Sequence, residues 1–169
     1  LSIVIIASAL SLRQRAHGIT PSATRLMPLT VLLGRILLAL TLLVIVVGTV
    51  VTGSGPHAGD STAARFNLDS KTISWIHADL VIALLGTTIA LLVATKLGES
   101  PATNIFWGRK VRIFFVVIMA QGAIGYIQYF TGLPEAIVAA HIAGAVLVWL
   151  SAWNLAITGN LTAGKKGSA

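Results

Sequence analysis

Two histidines stand inside long apolar runs of this sequence, His77 and His141, and imidazole is a side chain that can bind a metal or move a proton there. His77 lies six residues after Lys71, and His141 seven after Pro134. If the runs are helices, at 1.5 Å per residue both imidazoles sit about 9–10 Å below one end. Two imidazoles at matched depth on different helices of a bundle suit a haem standing between them, each giving the iron one axial nitrogen. An intramembrane histidine is costly without a partner, and a metal is a strong one. Read singly, each histidine could equally be hydrogen-bonding a neighbouring helix.

Other side chains gather at the same end. The run Thr52-Gly53-Ser54-Gly55-Pro56-His57-Ala58-Gly59-Asp60 holds three glycines and a proline, which demand special backbone geometry. His57 and Asp60 could line the edge of a bound group or a proton exit, or simply structure the loop. Arg65 and Lys71 follow; they could pair with the carboxylates of a bound group through charge-assisted bonds, or meet solvent and lipid headgroups. Asp79 is two residues from His77 and so belongs to another helix face. Gln121 could hydrogen-bond across the bundle. Gly48, Gly86, Gly122, Gly125 and Gly144 would let a flat ligand or a second helix approach closely. His17, among arginines, reads as solvated. Glu135 suits the positive end of a helix dipole. The chain has no cysteine, which excludes disulfides, iron–sulfur clusters and thiolate ligation.

The elements that must position these groups are set by hydropathy. Of 169 residues, 56% are apolar and 10% charged, against about 25% charged in a soluble domain. Lipid must cover such a surface. The net charge of +7 lies in short clusters between apolar runs, without the stripe or arm that nucleic-acid binding needs. Four runs, at 31–51, 73–95, 113–130 and 136–158, are long enough to span a bilayer, which takes about 20 residues. Lipid allows only internally bonded backbone, so each is a predicted helix. The expected fold is an all-α integral membrane four-helix bundle over 29–160. Residues 1–28 read as the end of a preceding helix and a cytoplasmic loop, and 161–169 as a cytoplasmic tail. Leu1 to Leu12 is too short to span and has its basic residues after the apolar stretch, so it is not a signal peptide.

Basic residues fix an expected orientation. They cluster before the first run, between the second and third (Lys96, Arg109, Lys110, Arg112), and after the fourth (Lys165, Lys166), which places those parts in the cytoplasm. Trp107, Trp149 and Trp153 then fall near the inner interface, and Trp75, Tyr126 and Tyr129 near the outer one. The first and third runs end in Thr-Gly (Thr52-Gly53 and Thr131-Gly132), and the next helix of each carries its histidine in the second turn. That predicts a parallel repeat of two helical hairpins about an axis along the membrane normal.

The nine-residue loop, followed by Trp75-Ile76-His77 at a helix start and His141 in the last helix, resembles the C-terminal four-helix half of haem A synthases of actinobacterial type. The resemblance covers essentially the whole chain. It implies a bacterial plasma-membrane oxidoreductase of eight helices in two similar halves, which oxidises the C8 methyl of haem O to a formyl group. His77 and His141 would ligate a haem b that relays electrons. Expected partners are membrane lipid, the N-terminal half, haem O as substrate of the whole enzyme, and haem O synthase and cytochrome oxidase during oxidase assembly. The family's N-terminal half carries a catalytic glutamate three residues before its first histidine. Ser74 stands at the matching position here, so the catalytic residues of this segment are unknown and electron transfer suits it better than substrate oxidation. The cysteine pair of some members is also missing. Two other readings stay open: a stand-alone membrane b-type cytochrome, and a non-enzymatic membrane subunit or transporter fragment.

Overall fold

The computed structural model describes residues 8, 9, 11, 13, 26–55, 68–159 and 161, and these are helical apart from short connections. Four helices are long and apolar enough to cross a membrane. They are α1 (Pro28–Ser54), α2 (Ser70–Gly98), α3 (Pro101–Phe130) and α4 (Glu135–Thr158). No strand occurs among the described residues.

Helix ends follow local chemistry. Pro28 opens α1 at the first position, where its missing N–H is no loss. Asp69 caps α2 by accepting from the Thr72 backbone N–H at 2.9 Å and from the Thr72 hydroxyl. The hydroxyl bond, then the backbone bond, hold the Asp69 carboxyl below its ordinary value. Ser100 accepts from the Thr103 N–H at 3.3 Å, with Pro101 next in line to open α3. That helix passes through one π-helical turn, Asn104–Gly108, before continuing as Arg109–Phe130. The α3–α4 turn carries Gly132 at φ 78° and Leu133 at φ 62°; the first is a conformation glycine adopts freely.

All four predicted runs lie inside observed helices, which extend past them at most ends, and two of the extensions are informative. The third begins at Pro101, not 113, because the basic turn Arg109–Arg112 continues the helix. Charges there end the apolar run but not the backbone hydrogen bonding. Likewise Thr52, Gly53 and Ser54 form the last turn of α1 instead of opening the loop. Residues 1–28 and 161–169, the two flanking segments, fall almost wholly outside the described residues.

The helices pack as a ring in which each touches the next. Contacts are most extensive within the pairs α1–α2 and α3–α4. Narrower contacts join α1 to α4 and α2 to α3, and no extensive contact links α1 to α3 or α2 to α4. α2 and α4 therefore stand on a diagonal.

Buried positions recur at alternating steps of three and four, the seam pattern of a helix bundle. On α1 they are Thr30, Gly34, Leu37, Thr41 and Val44. On α2 they are Leu84, Thr88, Leu91 and Thr95. α3 buries Val111, Phe114 and Ile118, and α4 buries Val148, Ala152 and Leu155 among others. The hydroxyls of Thr41, Thr88 and Thr95 each donate to the carbonyl four residues back, so these polar seam residues need no outside partner.

This core fills one half of the bundle only. At its closed end Trp107 is fully buried and donates its indole N–H to the Leu155 carbonyl at 3.2 Å. Trp149 is buried too, donating to the Ser8 hydroxyl and stacking on Trp153. These tryptophans were expected at a lipid interface, but Trp107 and Trp149 are core residues. Trp75, Tyr126 and Tyr129 are exposed, as a belt position requires. Arg35 donates to the Leu161 carbonyl at 2.8 Å, tying α1 to the residues just past α4.

Candidate functional site

The seam continues past the last buried apolar residue of every helix, but its chemistry changes. Beyond Val44 it reaches Gly48, and beyond Ile118 it reaches Gln121 and Gly125. Past Val148 come Gly144 and His141, and seven residues before Leu84 stands His77. All six are half-buried. From these positions to the nearer helix ends no described residue is buried. The half of the bundle toward the α1–α2 and α3–α4 connections therefore has small and polar groups along its axis where the other half has leucine, valine and phenylalanine.

The two histidines sit on the diagonal helices α2 and α4, in their second turns. Each ring lies on a glycine of its hairpin partner. A β-carbon at Gly48 would stand 3.1 Å from Cε1 of His77, and one at Gly125 would stand 3.1 Å from Cε1 of His141. Larger residues at 48 or 125 would push the rings away.

Beyond this shared plan the imidazoles differ. Nδ1 of His77 is buried without a hydrogen-bond partner among the described residues. His141 is held by Gln121, whose amide nitrogen lies 3.1 Å from Nδ1 and donates to the His141 carbonyl at 2.6 Å. The Gln121 amide fits because residue 144 is glycine; a β-carbon there would collide with Oε1.

Two imidazoles on diagonal helices, each seated against a glycine and set among small and polar residues, supply the pair of nitrogen ligands and the close approach that a planar macrocycle needs. The residues present thus fit a bis-histidine haem, with His77 and His141 as the pair that would hold the iron. Among the described residues no group of three or more His, Cys, Asp or Glu could hold a bare metal ion.

Of the other candidates, Lys71 is exposed on the first turn of α2, roughly 120° round the helix from His77 at 100° per residue. Asp79 is also exposed, away from the seam. The Ser74 hydroxyl donates to the Ser70 carbonyl at 2.7 Å, engaged by its own helix. His57, Asp60 and Arg65, and with them most of the nine-residue loop, lie outside the described residues, as does His17. Gln121 was expected to hydrogen-bond across the bundle, and it does so, from α3 to His141 of α4; what went unread was that the spacing 111, 114, 118, 121, 125 puts it in the seam beside that histidine.

No protein-family model, curated protein or solved structure matches this chain.

Proposed function

We infer that the chain is a membrane-embedded haem b-binding unit, and that it serves as the electron-relaying C-terminal half of a haem A synthase. One observation carries the haem reading: His77 and His141 stand on diagonal helices, in the half of the bundle that has no buried apolar residue. The glycine-backed rings support it. Assignment to a haem A synthase rests on the resemblance of the Thr52–Asp60 run and of Trp75-Ile76-His77. The reading also takes the helices as spanning a bacterial plasma membrane, with the histidine end outside, on the distribution of lysine and arginine. The two hairpins, each with an imidazole on a partner's glycine, are then parallel repeats.

When bound, haem b would supply a one-electron carrier. The chain's own residues do the rest. His77 and His141 would hold the iron, Gly48 and Gly125 seat their rings, and the apolar half of the bundle lies below them. With Ser74 where the family's catalytic carboxylate stands, no residue of this site is positioned as the acid for oxidising haem O. Oxidation of haem O would fall to the N-terminal half that the resemblance implies.

A reading of the histidines as helix glue in a non-enzymatic subunit is favoured by the His141–Gln121 bonds, but Nδ1 of His77 makes no such bond among the described residues. A reduced-minus-oxidised spectrum of the purified chain in detergent separates the two. The haem reading expects a six-coordinate low-spin b-type spectrum, lost in both His77→Ala and His141→Ala and kept in His17→Ala. No Soret band, or full haem in either of the first two variants, defeats it.

A further inference from the structure

We propose that Gln121 is the positioning residue of His141, fixing that ring in the seam and accepting its Nδ1 proton once Nε2 is bound to iron. The inference rests on the haem reading above and goes beyond it, because it makes the two axial ligands unequal.

A ligating imidazole must keep Nε2 free of a proton, so its proton sits on Nδ1 and needs an acceptor, usually a carbonyl or carboxylate. For His77 no acceptor stands at Nδ1 among the described residues. For His141 a side chain serves. Gln121 occupies the seam step between Ile118 and Gly125, facing α4, and its amide lies against both Nδ1 and the carbonyl of His141. In this arrangement the amide nitrogen faces Nδ1, and when it donates there the ring proton sits on Nε2. Turning the amide over presents Oε1 to Nδ1–H instead. The amide nitrogen then gives up the His141 carbonyl, an interior helix carbonyl with its own partner four residues on. Oε1 left at the nitrogen's place would stand 2.6 Å from that carbonyl oxygen, two acceptors in contact, so the amide must also swing away from it while keeping Nδ1.

Gly144 is what makes the arrangement possible. A single added carbon at 144 would overlap Oε1 and stand 2.9 Å from the amide carbon. The pair Gln121–Gly144 can therefore be broken from either side, once by shortening the reach of residue 121 and once by filling the space it uses. A merely structural glutamine would not tie these substitutions to the electronic properties of an iron centre.

The test is haemin titration of the apo-protein in detergent, with the midpoint potential and low-spin electron paramagnetic resonance of the loaded protein. Gln121→Leu and Gly144→Ala should each weaken haemin binding about tenfold, the usual loss when a ligand's hydrogen-bond partner is removed, and both should broaden the low-spin signal. Gln121→Glu should restore binding and lower the potential below that of wild type, because a carboxylate is the stronger acceptor and favours ferric iron. Glutamate matches glutamine in size, so it also controls for folding. Wild-type affinity and potential in Gln121→Leu, or equal potential shifts in Gln121→Leu and Gln121→Glu, overturn the inference while leaving haem binding intact. A wild-type protein that takes up no haemin overturns the haem reading and this inference together.

Discussion

Gly48 lies against His77 so closely that a β-carbon at position 48 would stand 3.1 Å from Cε1 of the imidazole. Gly125 stands in the same relation to His141. Neither ring can keep its place if the glycine beneath it grows. Gly48→Val and Gly125→Val should each cut haem content to a small fraction of wild type, measured as haem per protein after purification, with helix content unchanged. Gly48→Ala should give an intermediate loss, as the neighbour must give by a few tenths of an ångström. Gly86→Ala is the control, since a β-carbon there meets nothing within 4 Å. If the two valine variants load as well as that control, the glycines do not seat the rings.

Much of this was legible in the sequence, and the reasons are physical. Hydropathy located all four helices because lipid leaves the backbone no alternative, and matched spacing from the helix starts picked out His77 and His141. The start of α3 was missed by about a dozen residues, because Arg109, Lys110 and Arg112 end an apolar run without ending a helix. Trp107 misled for a related reason. An indole suits an interface as well as a core, and only the Leu155 carbonyl, 48 residues away, decides between them. The diagonal placement of α2 and α4 is a matter of packing that hydropathy cannot report.

The closed half of the bundle should carry the stability. Phe114 is fully buried among Leu37, Val111, Ile118 and their neighbours. Phe114→Ala should destabilise the protein by about 3–5 kcal/mol, the usual range for emptying such a site. Val116→Ala, at an exposed position on the same helix, should change little. Denaturation of both variants in detergent checks the contrast, and equal losses would mean that the packed seam is not the stabilising element.

The cap of α2 predicts a pH dependence of definite sign. The Thr72 hydroxyl and backbone N–H hold the Asp69 carboxyl below its ordinary value, so the folded form binds its proton less readily than the unfolded chain. The cap's contribution is complete above the unfolded value, about 3.9, and is lost as pH falls through the lower folded one. The Thr72 amide resonance should therefore stay constant from about pH 7 to 5 and move only below about pH 4. It should not titrate in Asp69→Asn. A midpoint above the ordinary carboxylate value would contradict the cap as drawn.

Asp79 tests whether the seam alone makes the site. It is only two residues from His77 in sequence, yet 200° round the helix at 100° per residue, and its side chain is exposed. A carboxylate facing hydrocarbon is unfavourable by up to about 3 kcal/mol at mid-membrane on insertion scales, and less toward the ends. Asp79→Leu should therefore insert and fold at least as well as wild type, while haem per protein and the reduced spectrum stay as they were. Asp79→Asn should behave the same way, because it removes charge without changing shape. Haem loss in both variants would mean that the carboxylate reaches the binding site by a route its exposed position does not offer, and sequence proximity to His77 would then matter more than the face of the helix.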